Sequence, residues 1–316
     1  MAFEEPIQSY SGKLRELVVG SDDDAVRIGG ASTLPCYLFE GELPHHPVVA
    51  MEVYDRAPEG WPKALMESLG EAVQDPVEWA KRCANEFGAD LICLQLASTD
   101  PNGDDSSVDD AIKTVRAVAD AVEKPLVILG SGHVEKDQEI LKKAADATSG
   151  RNFLLGPAVD ENYKVIGAAS LAYGHNLIGQ TPNDVNMAKQ LNILITQLGL
   201  APEKVAVDPT TGALGYGLEY TYSVIERLQL AALQQNDEMA QMPVISDLGK
   251  EVWKTKETKV DESEEPSWGD AEKRGILWEA LTAVTLMVAG SNILVMRHPE
   301  AVELVLKTMR KLSLRD

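Results

Sequence analysis

Short, almost continuously apolar runs alternate with longer amphipathic stretches from Pro47 to the end of the chain. Eight such runs can be distinguished, beginning at Pro47, Leu91, Pro125, Asn152, Asn176, Lys204, Pro243 and Asn292. A strand that is apolar at nearly every position is buried on both faces, which is typical of a parallel sheet covered by helices. The alternation therefore predicts eight β-strands that are connected by helices.

The stretches between the runs carry signals for the ends of helices. Residues suited to an N-cap or a first turn precede the helical periodicity at Asp75-Pro76, Ser106 to Asp109 and Pro182-Asn183. Glycines suited to a left-handed C-cap separate a helix from the next strand at positions 88, 150, 174 and 290. Eight βα units favour a closed barrel over an open doubly wound sheet, and no Gly-rich nucleotide turn follows Asp55. We predict an α/β fold, a (β/α)8 TIM barrel.

Two segments interrupt this repeat. Residues 1–46 precede the first strand and are predicted to form an N-terminal extension, and residues 47–316 are predicted to form the barrel as one domain. Residues 250–269 form a charged insert that is too polar for a core, which favours a solvated or partner-facing loop. Trp253 and Trp268 at its edges are expected to anchor it.

Charge and cysteine content exclude several classes of function. The chain has 29 Lys and Arg against 50 Asp and Glu, a net charge of -21, which disfavours binding to nucleic acid and docking to anionic membranes. The N-terminus lacks signal-peptide features and no apolar run is long enough to span a bilayer, so we expect a cytoplasmic protein. Cys36, Cys83 and Cys93 lack the spacing of a metal site or an iron-sulfur site and are predicted to be buried thiols.

In such barrels the functional side chains lie at the C-terminal ends of the strands. The densest candidate is the segment from Asp208 to Gly217, DPTTGALGYG, which follows the sixth strand. Its glycines allow the backbone to approach a bulky ligand, and Asp208 can accept hydrogen bonds from amide or ring N–H groups. The alternative is that Asp208 caps the helix that follows. Gln95, Asp247 and Arg297 also end strands.

The remaining strand ends contain no recognisable catalytic set. His133 and His298 lie near the predicted mouth and are assigned capping or structural roles, and His175 a structural role at the opposite end. There is no G-x-S-x-G elbow, and no lysine ends a strand, which disfavours Schiff-base chemistry. A basic Gly-rich phosphate loop between strands seven and eight is also missing, which disfavours phosphorylated sugars as substrates.

Six sequence blocks, in a fixed order, carry a resemblance to a known family. They are FEGELPHHPVVAMEVYD (39–55), ENYK (161–164), KQLNIL (189–194), DPTTGALGYGLEY (208–220), RGILWEA (274–280) and MRHPEAV (296–302). With these blocks the chain resembles the small subunit of the corrinoid iron-sulfur protein of the anaerobic acetyl-CoA pathway, the delta subunit of the acetyl-CoA synthase/CO dehydrogenase complex. The resemblance extends from Gly29 to the C-terminus, and six blocks are more specific than any single motif.

The resemblance implies a heterodimer with a large subunit, which alone carries a [4Fe-4S] cluster and holds most of a cobamide (a B12-type corrinoid). The cobamide is expected at the subunit interface, under this barrel. The pair carries a methyl group on cobalt from methyltetrahydrofolate, through a methyltransferase, to acetyl-CoA synthase/CO dehydrogenase. The chain has neither cysteine spacing for a cluster nor the D-x-H-x-x-G pattern of corrinoid domains, which agrees with this division.

The barrel is therefore expected to cap the cobamide and to be non-catalytic by itself, with no metal ligand of its own. By strand-end position, the predicted cofactor contacts are Asp208, Pro209, Thr210, Thr211 and Gly212, with Gln180, Ser131, Gly132 and Glu52 as second choices. One alternative is a pterin-dependent methyltransferase that binds methyltetrahydrofolate itself. Such a site needs Asp and Asn at several strand ends, whereas strands two to five end mostly in Gln, Ser, Thr, Gly and Pro. Another alternative is a scaffold that only docks partners.

Overall fold

Eight parallel strands close into a barrel in the computed structural model, which describes residues 6–212 and 214–315. The barrel strands are β3 (Val48–Tyr54), β4 (Leu91–Gln95), β5 (Leu126–Leu129), β6 (Leu154–Ala158), β7 (Asn176–Gln180), β8 (Val205–Asp208), β9 (Val244–Asp247) and β10 (Ser291–Met296). They pair in sequence order, and β10 closes the ring by pairing with β3. Each predicted run overlaps one strand, and the TIM barrel is confirmed. Residues 1–5, 213 and 316, which belong to the predicted extension, the ligand loop and the barrel domain, lie outside the described residues.

Ten α-helices are described in the structure. They are α1 (Lys63–Leu69), α2 (Pro76–Asn85), α3 (Val108–Ala121), α4 (Val134–Ala147), α5 (Tyr163–Tyr173), α6 (Val185–Gln197), α7 (Leu218–Gln234), α8 (Gly249–Val252), α9 (Ala271–Ala289) and α10 (Pro299–Lys311). The Asp75 carboxylate caps α2 by accepting from Val77 N at 2.8 Å, as predicted. Gly174 ends α5 in the left-handed conformation, with φ of 80°. None of these helices is long and apolar enough to cross a membrane.

A short hairpin that the sequence pattern did not predict lies in the N-terminal segment. Strands β1 (Glu16–Val19) and β2 (Val26–Gly29) pair antiparallel. Leu17, Val19 and Ile28 are fully buried and pack with the side chains that fill the inside of the barrel. Asn176 Nδ2 also donates to Val18 O at 2.9 Å from the start of β7. The hairpin therefore covers the end of the barrel at which the strands begin, and the opposite end is left for a ligand.

The core has two layers. One fills the barrel and the other, which contains Val49 and Met51, lies between the strands and the helices. Cys83 and Cys93 are buried in these layers, whereas Cys36 is exposed, so the prediction of a buried thiol was wrong there. Cys36 has a φ of 65°, within an irregular segment whose tight turns turn its side chain outward.

The charged insert is held against the barrel at several points. The Trp253 side chain is buried and donates to Glu279 Oε2 at 2.8 Å. The Trp268 ring lies 5.4 Å from Lys256 Nζ and 5.4 Å from the centre of the Arg274 guanidinium. Arg274 also donates to backbone oxygens of the insert, including Gly269 O at 3.1 Å. Both tryptophans therefore anchor the insert, as predicted.

Candidate functional site

A cavity of 80 Å³ lies at the end of the barrel where the strands finish. We call this opening the mouth cavity, and the polar side chains that line it are Gln95, Gln180, Asp208, Asp247 and Lys250. Four of them end strands β4, β7, β8 and β9, whose parallel arrangement brings their carboxyl ends together. The lining also includes Gly130, Gly132 and Pro157, and the two glycines have no side chain to keep a ligand away from their backbone. The mouth cavity thus presents carboxylates, amides and one amine within a small volume.

Asp208 is held in place by its neighbours and remains a hydrogen-bond acceptor. Its Oδ2 accepts from Gln180 Nε2 at 2.7 Å and its Oδ1 accepts from Thr210 N at 2.8 Å. Burial raises the pKa of Asp208 to about 6, and these two hydrogen bonds oppose the rise. Each carboxylate oxygen can accept more than one hydrogen bond, so capacity remains for a ligand. Helix α7 has Gly217 at its N-cap and no side-chain cap, so the alternative role for Asp208 is wrong.

The loop after Asp208 carries backbone strain and two unpartnered hydroxyls. Thr210 has a φ of 63°, a left-handed conformation that is unfavourable for a β-branched residue, and its Oγ1 donates to Thr181 O at 2.7 Å. Within the described part of the chain, Thr211 Oγ1 and Thr181 Oγ1 are buried without a hydrogen-bond partner. Buried hydroxyls normally have partners, so this rim is suited to a ligand with polar groups.

Asp247 and Lys250 were not among the shortlisted residues. Burial, followed by the nearby charge of Glu52, raises the pKa of Asp247 to about 7, while Lys250 opposes the rise. Among residues 6–212 and 214–315, Asp247 Oδ1 has no hydrogen-bond partner. None of the described barrel strands ends in a lysine, as predicted, but the first turn of α8 brings Lys250 back to the cavity three residues after β9. A charged residue within one turn of a strand end is the signal that could have found it.

A buried ion pair supports the mouth. Glu52 is 1% exposed, and its carboxylate accepts from Arg297 Nε. Arg297 Nη2 donates to Tyr54 OH at 2.7 Å, and the guanidinium lies 4.2 Å from the centre of the Trp61 ring. Glu52 therefore lies below the surface that a ligand would meet. Its Oε2 is bound by Arg297, and its Oε1 is buried without a hydrogen-bond partner in the described part of the chain.

Ser131 and Gly132 hold the carboxylate of Asp137. Ser131 N and Oγ donate to Asp137 Oδ1 at 2.8 and 3.0 Å, and Gly132 N donates to Oδ2 at 2.9 Å. Burial raises the pKa of Asp137, and these three hydrogen bonds oppose the rise. Gly132 lines the mouth cavity, whereas Ser131 lies behind it. The loop after β5 is thus a rigid wall of the site.

We expect Asp137→Ala to lower the free energy of unfolding by about 2 to 4 kcal/mol, because it leaves two backbone N–H groups and one hydroxyl without their charged acceptor. Urea unfolding of the variant measures this. Ser131→Ala is the matched control, since it removes one hydroxyl and should cost about 1 kcal/mol. Equal losses for both variants would contradict the central position given to Asp137.

The histidines near the mouth are helix caps. His133 Nδ1 accepts from Lys136 N at 3.3 Å, and His298 Nδ1 accepts from Glu300 N at 3.2 Å. Burial lowers the pKa of His298 to about 4, so it is neutral at pH 7. At the opposite end, His175 is fully buried and its Nδ1 accepts from Phe153 N at 3.1 Å. The structural roles that were predicted for all three are confirmed.

Glu279 is a buried carboxylate that the strand-end reasoning missed, because it lies on α9. It accepts from Trp253 Nε1 at 2.8 Å, Arg297 N at 2.6 Å and His298 N at 3.1 Å. Burial raises the pKa of Glu279 to about 7, and the hydrogen bonds oppose the rise. This carboxylate joins the insert, helix α9 and the end of β10.

Comparison with known proteins gives one consistent family. A family model described as "CO dehydrogenase/acetyl-CoA synthase delta subunit" matches residues 16–315. The acetyl-CoA decarbonylase/synthase complex subunit delta of Archaeoglobus fulgidus is 35% identical over 323 residues, covering 98% of this chain and 71% of the relative. The subunit delta of Methanothermobacter thermautotrophicus is 38% identical over 305 residues, covering 96% of this chain and 77% of the relative.

Solved structures show the same architecture. Dihydropteroate synthase of Xanthomonas albilineans with 4-aminobenzoic acid has a TM-score of 0.58 at 12% identity, covering 95% of this chain and 100% of that one. The 7,8-dihydropteroate synthase of Vibrio fischeri has a TM-score of 0.58 at 11% identity, covering 95% and 99%. At these identities the likeness shows the fold alone.

Proposed function

This chain belongs to the CO dehydrogenase/acetyl-CoA synthase delta subunit family, and from that premise we propose that it is the small subunit of a heterodimeric corrinoid methyl carrier. In this proposal the large subunit holds the cobamide and the [4Fe-4S] cluster. The barrel described above covers the exposed face of the cobamide. The methyl group comes from methyltetrahydrofolate through a methyltransferase and goes to acetyl-CoA synthase/CO dehydrogenase.

The observation that carries the proposal is the set of unpartnered polar atoms around the mouth. Asp247 Oδ1 at the cavity, and Thr181 Oγ1 and Thr211 Oγ1 in the loops that follow β7 and β8, are buried without partners inside the described ranges, and Asp208 retains acceptor capacity. A corrin ring carries primary amide arms around its edge, and each arm offers N–H donors and a carbonyl acceptor. The hydroxyls and carboxylates of the mouth therefore fit the amide arms around the edge of a corrinoid.

The roles of the residues follow from their positions. At the cavity itself, Asp208 would accept hydrogen bonds from the ligand and Gln180 would donate them. The loop beside the cavity consists of Pro209, Thr210, Thr211 and Gly212. Gly132 lets the ring approach the wall formed by the β5 loop. Ser131 acts indirectly, because its hydroxyl is bound to Asp137, and Glu52 is buried with one of its two carboxylate oxygens bound to Arg297.

The bound cobamide supplies the cobalt that accepts and releases the methyl group. The residues of this chain have a different task, which is to position the ring edge and to exclude water from the covered face. No side chain of the mouth is required as a nucleophile in this role. The chain acts as a subunit of a methyl-transfer system and is proposed to be non-catalytic alone.

The size of the cavity favours the capping role and disfavours an enzyme that binds folate in the barrel. The cavity volume of 80 Å³ is about half that of a roughly 150 Å³ protein cavity that holds benzene, and a fused pterin ring is larger than benzene. A wide ring lying across the mouth needs no deep cavity, since only its substituents enter. Tight binding of methyltetrahydrofolate by the chain without its partner would contradict the capping role.

We expect Asp208→Ala to weaken retention of the cobamide by the heterodimer by about 10- to 100-fold, since a charged acceptor at the cavity is lost. Retention is measured by dialysis of the cobalamin-loaded heterodimer and its absorption spectrum. Asp120→Ala, an exposed acid on α3, is the matched control and should retain cobamide like the parent. Unchanged retention in Asp208→Ala would contradict the assignment.

Co-purification of a larger cobalt- and iron-containing partner tests the class of the complex.

A further inference from the structure

The mouth cavity combines an unused acceptor with an unused donor. Asp247 Oδ1 accepts no hydrogen bond, and Lys250 forms no ion pair, in the part of the chain that the structure describes. Asp208 stands on the neighbouring strand with both oxygens bound to its own loop and to Gln180. A group that fills the cavity would meet the carboxylates of Asp208 and Asp247 and the side chain of Lys250.

The volume limits what this group can be. A cavity of 80 Å³ is about half the size of one of roughly 150 Å³ that holds the six carbons of benzene, so it suits a group of about three heavy atoms such as a primary amide. Leu129, Ile178 and Ile245 add apolar side chains to the wall, and the Nε2 of the lining residue Gln95 is already bound to Gly130 O. A single terminal substituent fits, and a ring does not.

We propose that the mouth cavity receives one carboxamide arm of the corrin ring and discriminates it from a free carboxylate at the same position. This rests on the proposed function, because it concerns the arm of a capped corrinoid. The amide N–H groups would donate to Asp247 and Asp208, and the amide oxygen would accept from Lys250. The chain would thus select fully amidated corrinoids.

The charges around the cavity determine that a carboxamide is preferred to a carboxylate. Asp247 faces Glu52 from β3, Asp208 from β8, Lys250 from α8 and Arg297 from the end of β10. Arg297 is engaged by Glu52, so one free ammonium faces two carboxylates. A carboxamide satisfies both kinds of group, whereas a carboxylate has no proton to donate and meets like charges.

The pH dependence follows from the same groups. Burial raises the pKa of Asp247 to about 7 and that of Asp208 to about 6. Below pH 6 a protonated Asp247 can donate to a carboxylate arm, and above pH 7 it repels one. The preference for the amide is therefore expected to increase as the pH rises from 6 to 8.

The test uses cobalamin monocarboxylic acids, a set of isomers in which a single amide arm of the corrin ring is hydrolysed to a carboxylate. The large subunit is loaded with intact cobalamin or with each isomer, and the dissociation constant of the full-length chain from it is measured at pH 7.5. All isomers carry the same extra charge, so general repulsion by this acidic chain cancels among them. We expect one isomer to bind at least tenfold more weakly than the others.

Two variants test whether Asp247 causes the weaker binding of that isomer. Asp247→Asn should reduce the gap between that isomer and the others to less than threefold, because the like charge is removed. Asp55→Asn is the matched control: it changes the same charge at the barrel rim, where the carboxylate is held by Ser98 N at 2.8 Å, and it should leave the gap intact.

The outcomes separate the two proposals. If intact cobalamin strengthens binding of the chain but every isomer binds equally well, the amide pocket is refuted and the cap survives. If cobalamin gives no gain over the empty large subunit, the proposed function itself is refuted. A gap that persists in Asp247→Asn also counts against the pocket.

Discussion

Replacing Arg297 by Met is expected to lower the free energy of unfolding by about 3 to 5 kcal/mol, because it leaves the Glu52 carboxylate buried without its partner. Arg297 is 4% exposed and Glu52 is 1% exposed, so neither charge is solvated in the folded chain. Tyr54 OH also loses the donor at 2.7 Å. Equilibrium urea unfolding at pH 7 measures the loss.

The double variant Glu52→Leu with Arg297→Met separates the buried charge from the packing. Removing both charges should recover most of the loss, because apolar groups of similar volume often replace a buried pair at little cost. A single Arg297→Met variant that costs less than about 1 kcal/mol would show that Glu52 becomes protonated or solvated. Arg297→Lys keeps the charge but loses the contact with Trp61, so it should fall between the two.

The barrel could be predicted because its signals are local. A strand buried on both faces must be apolar along its whole length, and a helix must be capped, so each βα unit is visible within about 30 residues of sequence. The hairpin of β1 and β2 lacks this signal. Its strands have four residues each, and their burial comes from packing against the distant barrel interior.

The site could be predicted in part for the same reason. Strand-end reasoning placed Asp208, Gln180 and Gly132 on a common mouth, and the structure brings all three to one cavity. It could not show that the hydroxyl of Ser131 is bound to Asp137, since that contact depends on the path of a loop. Lys250 reaches the cavity from the first turn of α8, so it was missed because only the residues that end strands were considered.

The structure also contains buried acids whose ionisation opposes folding. Burial raises the pKa of Glu279 to about 7, against an ordinary value of 4.5 in the unfolded chain. Between these values the native state holds a proton that the unfolded state has released. Stability from this group is therefore complete below pH 4.5 and is lost as the pH rises through 7.

Glu279→Gln isolates this effect, since other ionisable groups are shared with the parent. At pH 5 the variant should be less stable by about 1 to 2 kcal/mol, because one amide N–H group faces the donors Trp253 Nε1, Arg297 N and His298 N. By pH 8 the parent should have lost about 3 kcal/mol relative to the variant, so the order of stability reverses. Urea unfolding of both proteins at several pH values between 5 and 8 measures the difference. A difference that does not change with pH would mean that Glu279 is ionised in the native state throughout, with its three donors outweighing the cost of burial.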